Sequence, residues 1–376
     1  MSLGTSFVLS QRIAVNPPTQ YEFTFCGRGL SLSQDRVVFG CPSEPSGLSS
    51  SSTPPVYDGT SSPFSDSGSV FSYKLNTVSG QYEFEYYLRP STIRPSQQFG
   101  SALSVSDDLL VVGAPFDSNQ CTGINDFSTV TSTSSVEAGS AYIFRLTAGG
   151  VWQEEAWVCG EDAFNGFSRV GTGVEIDSAT GLAFVSQPRG FKNKVNVYQT
   201  TAGSGTWSFV ESFSPAVIDG GAEFGSALSY DSGVILVGAL FNTVNTFQEG
   251  SAHVFQLNPI IGSWEEKVTL TSRSPSNFDR FGKSVVYDSV DGTVVVGAPL
   301  EDSGSNSPIP NEDEPDAGAV FTFECILKVN FYDKDADVSE FSCICHCRAP
   351  FCIVHFHGKR GTRKQSHHRI VESERR

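Results

Sequence analysis

The chain has 376 residues, of which 18% are charged, with 36 glycines, 19 prolines and a formal net charge of −16. It contains no run of eighteen apolar residues, which excludes a membrane-spanning helix, and its acidity argues against nucleic acid as a partner. No stretch keeps a 3.6-residue apolar period over three turns, so an all-β fold is expected.

The first fifteen residues, MSLGTSFVLSQRIAV, lack a basic start and an unbroken apolar run, so no signal peptide is expected. Within them, residues 7–13 (FVLSQRI) read as a lone strand with no partner before it. Residues 26–42, CGRGLSLSQDRVVFGCP, then open a pattern that recurs four times. Residues 99–115 read FGSALSVSDDLLVVGAP, 170–188 VGTGVEIDSATGLAFVSQP, 224–240 FGSALSYDSGVILVGAL and 281–299 FGKSVVYDSVDGTVVVGAP. Alternation, a short turn and then a continuous apolar run describe a half-exposed strand paired with a buried one. The copies start 54 to 73 residues apart, the spacing of a blade-sized unit.

Each hairpin is followed by a loop of variable length and a second strand pair, as in GSAYIFRLT and VWQEEAWV after the second copy. Tyr82, Trp152, Trp207 and Trp264 fall at one repeat position, just past a turn, and are expected to cover the outer hairpin of each unit. Each unit is therefore four antiparallel strands, A to D, and such units in tandem stack radially into a β-propeller. The fifth unit has strands A to C and then loses its pattern. The expected architecture is a five-bladed propeller over residues 1–325, closed by residues 7–13 as the fourth strand of the last blade.

The repeated Phe-Gly and Gly-Ala-Pro marks resemble the FG-GAP repeats of the integrin α-chain head and related secreted or surface proteins. The resemblance covers about residues 6–324. It implies an extracellular or cell-surface location, and a protein or glycan ligand held on the face carrying the D–A and B–C loops. Members of the family usually have seven blades, and many hold calcium in the A–B turn. Here those turns are short: Asp107, Asp108 and Asp231 read as ordinary turn acids, and Asp288 and Asp291 supply only two carboxylates. The nearest calcium-type run is Asp333, Asp335 and Asp337, where Val338 replaces the turn glycine and Glu340 falls one position short. Calcium is the candidate cofactor there, set against a solvated acidic turn as the competing expectation.

Functional residues favour loops on a rigid base, which directs attention to the B–C loops at residues 116–138, 241–249 and 300–317. Asp117, Glu301, Asp302 and Asp313 are the expected ligand-binding residues, set against a reading in which the acidic loops only keep the protein in solution. Cys26 and Cys41 stand at the two open ends of the first hairpin, within reach of a disulfide. Cys121 and Cys159 form a second candidate pair on one face. Two such bridges suit an oxidising compartment, although the chain has no N-x-S/T sequon.

Residues 326–376 differ in kind. They carry 10 Lys and Arg against 6 Asp and Glu, whereas residues 1–325 carry 15 against 35. Cys343, Cys345, Cys347, Cys352, His355 and His357 are able to bind zinc, but their spacing matches no zinc module, and a disordered tail is expected. No enzyme constellation stands out: His253, the one histidine of the body, lies in a regular strand and reads as a packing or surface residue. The expected function is non-catalytic recognition or adhesion. Two alternatives are the accessory propeller of a secreted hydrolase, such as the phospholipase D that releases glycosylphosphatidylinositol anchors, and a fragment without a function of its own.

Overall fold

Two residues suffice to turn the first inner hairpin. Gln34 and Asp35 join Leu30–Ser33 (β1) to Arg36–Cys41 (β2), with Gln34 in the left-handed region at φ 44°. The same turn joins Ala102–Ser106 (β5) to Leu109–Ala114 (β6), with Asp107 at φ 49°. Such turns match the twist of the strands they connect. The longer turns between Val174–Asp177 (β10) and Leu182–Gln187 (β11), and between Ser284–Asp288 (β18) and Thr293–Ala298 (β19), are held differently. Asp177 accepts the Ala179 N–H at 3.2 Å and Asp288 that of Val290 at 2.8 Å, so these acids act as turn caps.

The computed structural model describes residues 11–13, 24–56, 64–118, 123–125, 137–160, 167–189, 193–201, 204–302 and 316–324. It also describes the backbone of 345–348 and 351–354. The protein is all-β, with no helix among these residues, and its strands form five consecutive antiparallel blades in a β-propeller arrangement.

The first blade is β1, β2, Ser69–Asn76 (β3) and Gln81–Leu88 (β4). The second is β5, β6, Ser140–Leu146 (β8) and Trp152–Cys159 (β9), with the short Gly123–Ile124 (β7) added at its edge. The third is β10, β11, Lys194–Thr200 (β12) and Trp207–Phe213 (β13). The fourth is Phe224–Asp231 (β14), Val234–Ala239 (β15), Ser251–Asn258 (β16) and Ser263–Leu270 (β17). The fifth has β18, β19 and Ala319–Glu324 (β20), three strands among the described residues. Each outer hairpin carries one bulge at the same register, and Trp152, Trp207 and Trp264 are buried just beyond it, as the repeat pattern implied.

The core lies between blades. Val38, Val70 and Leu88 of the first blade pack with Leu103 and Val105 of the second. Val111 and Ile143 pack with Val174 and Ile176, Phe184 and Val195 with Leu228 and Tyr230, and Leu236 and Ala252 with Val285 and Tyr287. Each fully buried Val, Leu, Ile or Phe among them contributes about 1.5–3 kcal/mol by leaving water. A polar ladder runs along the innermost strands. Ser31 Oγ accepts the Val105 N–H at 3.0 Å, Ser104 Oγ that of Ile176 at 3.3 Å, and Ser229 Oγ that of Tyr287 at 3.0 Å.

Of the strand expected to close the ring, only residues 11–13 are described. There the Gln11 side chain donates to the Tyr82 carbonyl of the first blade at 2.8 Å and accepts its N–H at 2.7 Å. Glu211 of the third blade accepts the Trp264 N–H of the fourth in the same way, at 3.1 Å. Gln11 thus holds the place of an outer-strand residue of a blade preceding the first. In the tail, the backbone of Cys345–Arg348 (β21) and Phe351–Val354 (β22) pairs as an antiparallel hairpin. Asp333, Asp335 and Asp337 lie outside the described residues.

Candidate binding face

The B–C loops end, and the D–A loops end, on the same side of the propeller. The B–C loops of the first, second, fourth and fifth blades each close on two left-handed residues, such as Glu137 at φ 57° and Gly139 at φ 77°. Each D–A loop closes on Gln98, Arg169, Glu223 or Arg280, also left-handed. The two loop ends are bonded to each other: Arg169 donates its N–H to the Glu137 carbonyl and Val170 to that of Ala138, both at 3.0 Å. Gln98 and Phe99 make the same pair of bonds to Asp66 and Ser67. Short parallel bridges between Gly139 and Val170 and between Gly250 and Phe281 result. The loops are therefore fixed at their bases.

The glycines explain why the marks recur. A Cβ on Gly113 would lie 1.9 Å from the carbonyl oxygen of Gly171 in the next blade, and one on Gly238 would lie 2.0 Å from that of Gly282. Gly40, Gly113 and Gly238 thus seat the glycine of the next blade's opening pair, too closely for a Cβ, while in the third copy Ser186 stands at that position against Gly225. Residues 85–144 match the FG-GAP repeat. None of the curated proteins matches the chain. Among solved structures, the chain is similar at 13% identity to Sqt1 of Saccharomyces cerevisiae, over 52% of this chain and 40% of that one, with a TM-score of 0.30. It is also similar at 13% identity to a protein from Lactobacillus plantarum, over 72% of this chain and 61% of that one, with a TM-score of 0.39. The chain spans less than two thirds of these proteins' lengths, and neither likeness bears on function.

Within this framework the expected ligand residues take different places. Asp117 is fully buried: it accepts from Ser140 Oγ at 2.7 Å and Tyr142 Oη at 3.0 Å, and Arg94 stands 3.5 Å away. Its carbonyl receives the Gly139 N–H at 2.8 Å, so it anchors the loop it was expected to arm. Glu301 is buried as well, with Ser274 Oγ donating to it at 3.2 Å, and its carbonyl receives the Gly318 N–H at 2.9 Å. Glu44 holds the same position in the first blade, paired with Arg89 at 2.7 Å, and Asn242 holds it in the fourth. The signal was legible, since all four stand two residues after the Pro or Leu of the mark. A polar residue at a repeated position serves the repeat.

Asp302 is half-buried and accepts from Ser276 Oγ at 3.0 Å and the Asp316 N–H at 2.9 Å. Beside it, burial pushes the Asp279 carboxyl above its ordinary range, the charge of Asp302 adding to the effect. Asp313 lies outside the described residues.

Sequence reasoning missed the aromatic and basic residues of this face. Arg169 lies over the Phe116 ring at 4.7 Å, and Arg280 lies over that of Phe241 at 5.6 Å. At the corresponding place between the third and fourth blades, Arg189 and Glu223 form an ion pair. A cleft of about 340 Å³ surrounds that pair, lined by Phe167, Arg189, Gly220, Gly221, Glu223 and Phe241. Phe167, Phe247 and Phe278 are about half exposed, with Phe247 and Phe278 edge to face at 5.4 Å.

Two other groupings are resolved. Cys26 and Cys41 form a disulfide with Cα atoms 3.9 Å apart. Cys159 is also disulfide-bonded, while Cys121 lies outside the described residues. His253 is buried and joins a hydroxyl to a carboxylate: Ser251 Oγ lies 2.8 Å from its Nε2 and Glu266 2.8 Å from its Nδ1. These are the parts of a nucleophilic triad. Ser251, however, is fully buried and takes a further hydrogen bond from Asn242 at 2.9 Å, so this trio serves the packing of the fourth blade.

Proposed function

We propose that the chain is a non-catalytic recognition module, integrin-α-like, which holds a protein or glycan ligand on the face formed by the D–A and B–C loops. One observation carries the reading: Phe167, Phe247 and Phe278 stand half exposed on loops whose bases are bonded together. Aromatic side chains on a fixed base give large contact area for little lost freedom, which is how binding anchors work. The cleft around Arg189 and Glu223 supplies charge of both signs beside the rings. The acidic body favours a partner with a cationic surface. The Cys26–Cys41 bridge supports an oxidising compartment, outside the cell or at its surface.

The test is binding to an array of extracellular protein domains and glycans. Replacing Phe247 and Phe278 together by Ser should abolish the interaction found with the parent chain and leave the melting temperature nearly unchanged. Undiminished binding by that variant, or turnover of a glycan or phosphoester by the purified protein, overturns the reading.

A further inference from the structure

Every blade boundary is built in one way. The strand-A residues Leu103 and Val105, or Val174 and Ile176, lie buried against the blade before them. On the first blade the same two register positions are Leu30 and Leu32, which are 67% and 64% exposed. The opposite side of each blade meets the blade after it through one residue on strand B and one on strand C. These are Val38 and Val70, Val111 and Ala141, Phe184 and Val195, and Leu236 and Ala252, all with 0% exposure. On the fifth blade these register positions are Val295 and Val320, and Val320 is 70% exposed. Val286, which pairs with Val295, is 57% exposed.

The two ends of the blade series therefore present the two halves of an interface that the chain makes four times within itself. Among the described residues they are not packed on each other, since Leu30, Leu32, Val286 and Val320 all face solvent. We propose that they join between copies of this chain, with Leu30 and Leu32 of one copy seated on Val286, Val295 and Val320 of another. The repeat itself supplies the complementarity, because each half already has the shape and register of its partner elsewhere in the molecule. A polar rung is available as well. Asp231 accepts the Ser289 N–H of the next blade at 2.9 Å, and Asp288 and Gln34 stand at the corresponding positions of the two free ends. Val286 takes the place of Ser229, so the second rung of the ladder is replaced by apolar contact and the association is weaker than an internal boundary.

Such an interface is heterologous, which gives a specific test. The full-length oxidised chain should show mass that rises with concentration in sedimentation velocity. Leu32→Glu and Val320→Glu alter exposed side chains on opposite halves, and each variant alone should be monomeric with an unchanged melting curve. Mixed in equal amounts, the two should form a one-to-one dimer through their remaining intact halves. A parent chain that stays monomeric at every concentration overturns the proposal, as do variants that still self-associate or fail to pair when mixed. None of these residues lies on the loop-bearing face, so the outcome is independent of ligand recognition there.

Discussion

Ser104 Oγ donates to the Glu175 carboxyl at 2.7 Å across the boundary between the second and third blades, while accepting the Ile176 N–H at 3.3 Å. Glu175 stands where the other ladder blades carry serine, and burial raises its pKa from about 4.5 to about 7, with the Ser104 bond opposing the shift. In the folded chain this carboxyl keeps its proton to higher pH than in the unfolded chain. The unfolded state therefore ionises first, and Glu175 lowers stability progressively as pH rises from about 4.5 to about 7, with no further change above.

Glu175→Gln should remove that slope. Its side chain keeps part of its surface open, so the gain above neutrality should be about 1–2 kcal/mol, below the full equivalent of the shift. Urea unfolding of parent and variant across acidic to mildly alkaline pH measures the difference. It should shrink to nothing below about pH 4. A constant offset at all pH values would assign the effect to packing.

Gly113→Ala should destabilise the chain by about 3 kcal/mol, the upper end of ordinary overpacking, because the contact is with backbone that has no rotamer to change. The added carbon would meet the Gly171 carbonyl oxygen at 1.9 Å. Gly220→Ala is the control, since nothing lies within 4 Å of a Cβ there and it should be near neutral. Thermal melting of the two variants compares them directly.

Asp117→Ala should cost about 3–5 kcal/mol, the range for breaking a buried, hydrogen-bonded charge. Ser140, Tyr142 and Arg94 would all lose their shared acceptor. Asp302→Asn, on a half-buried side chain, should cost less than about 1 kcal/mol. If Asp117 acted only as a ligand contact, the two variants would melt alike.

The alternation of small and apolar residues, the Asp-Asp and Ser-Gly turns and the recurrence of Phe-Gly with Gly-Ala-Pro were enough to define the strands and the blades. Both are local matters, set by side-chain period and by residues that tolerate positive φ. The cysteine pair at residues 26 and 41 was readable for the same reason, because strand pairing alone brings its members together. What joins one blade to the next was not readable. The contact of Gly113 with Gly171, the rung from Ser229 to Tyr287 and the stacking of Arg280 on Phe241 link residues 39 to 58 positions apart, and no periodicity along the chain encodes them. Asp117 and Glu301 looked like surface acids although they stand at a repeated position, because a carboxylate in a polar loop reads the same whether it faces water or a buried hydroxyl. Only the folded loop brings Ser140 and Tyr142 to Asp117, and Ser274 to Glu301.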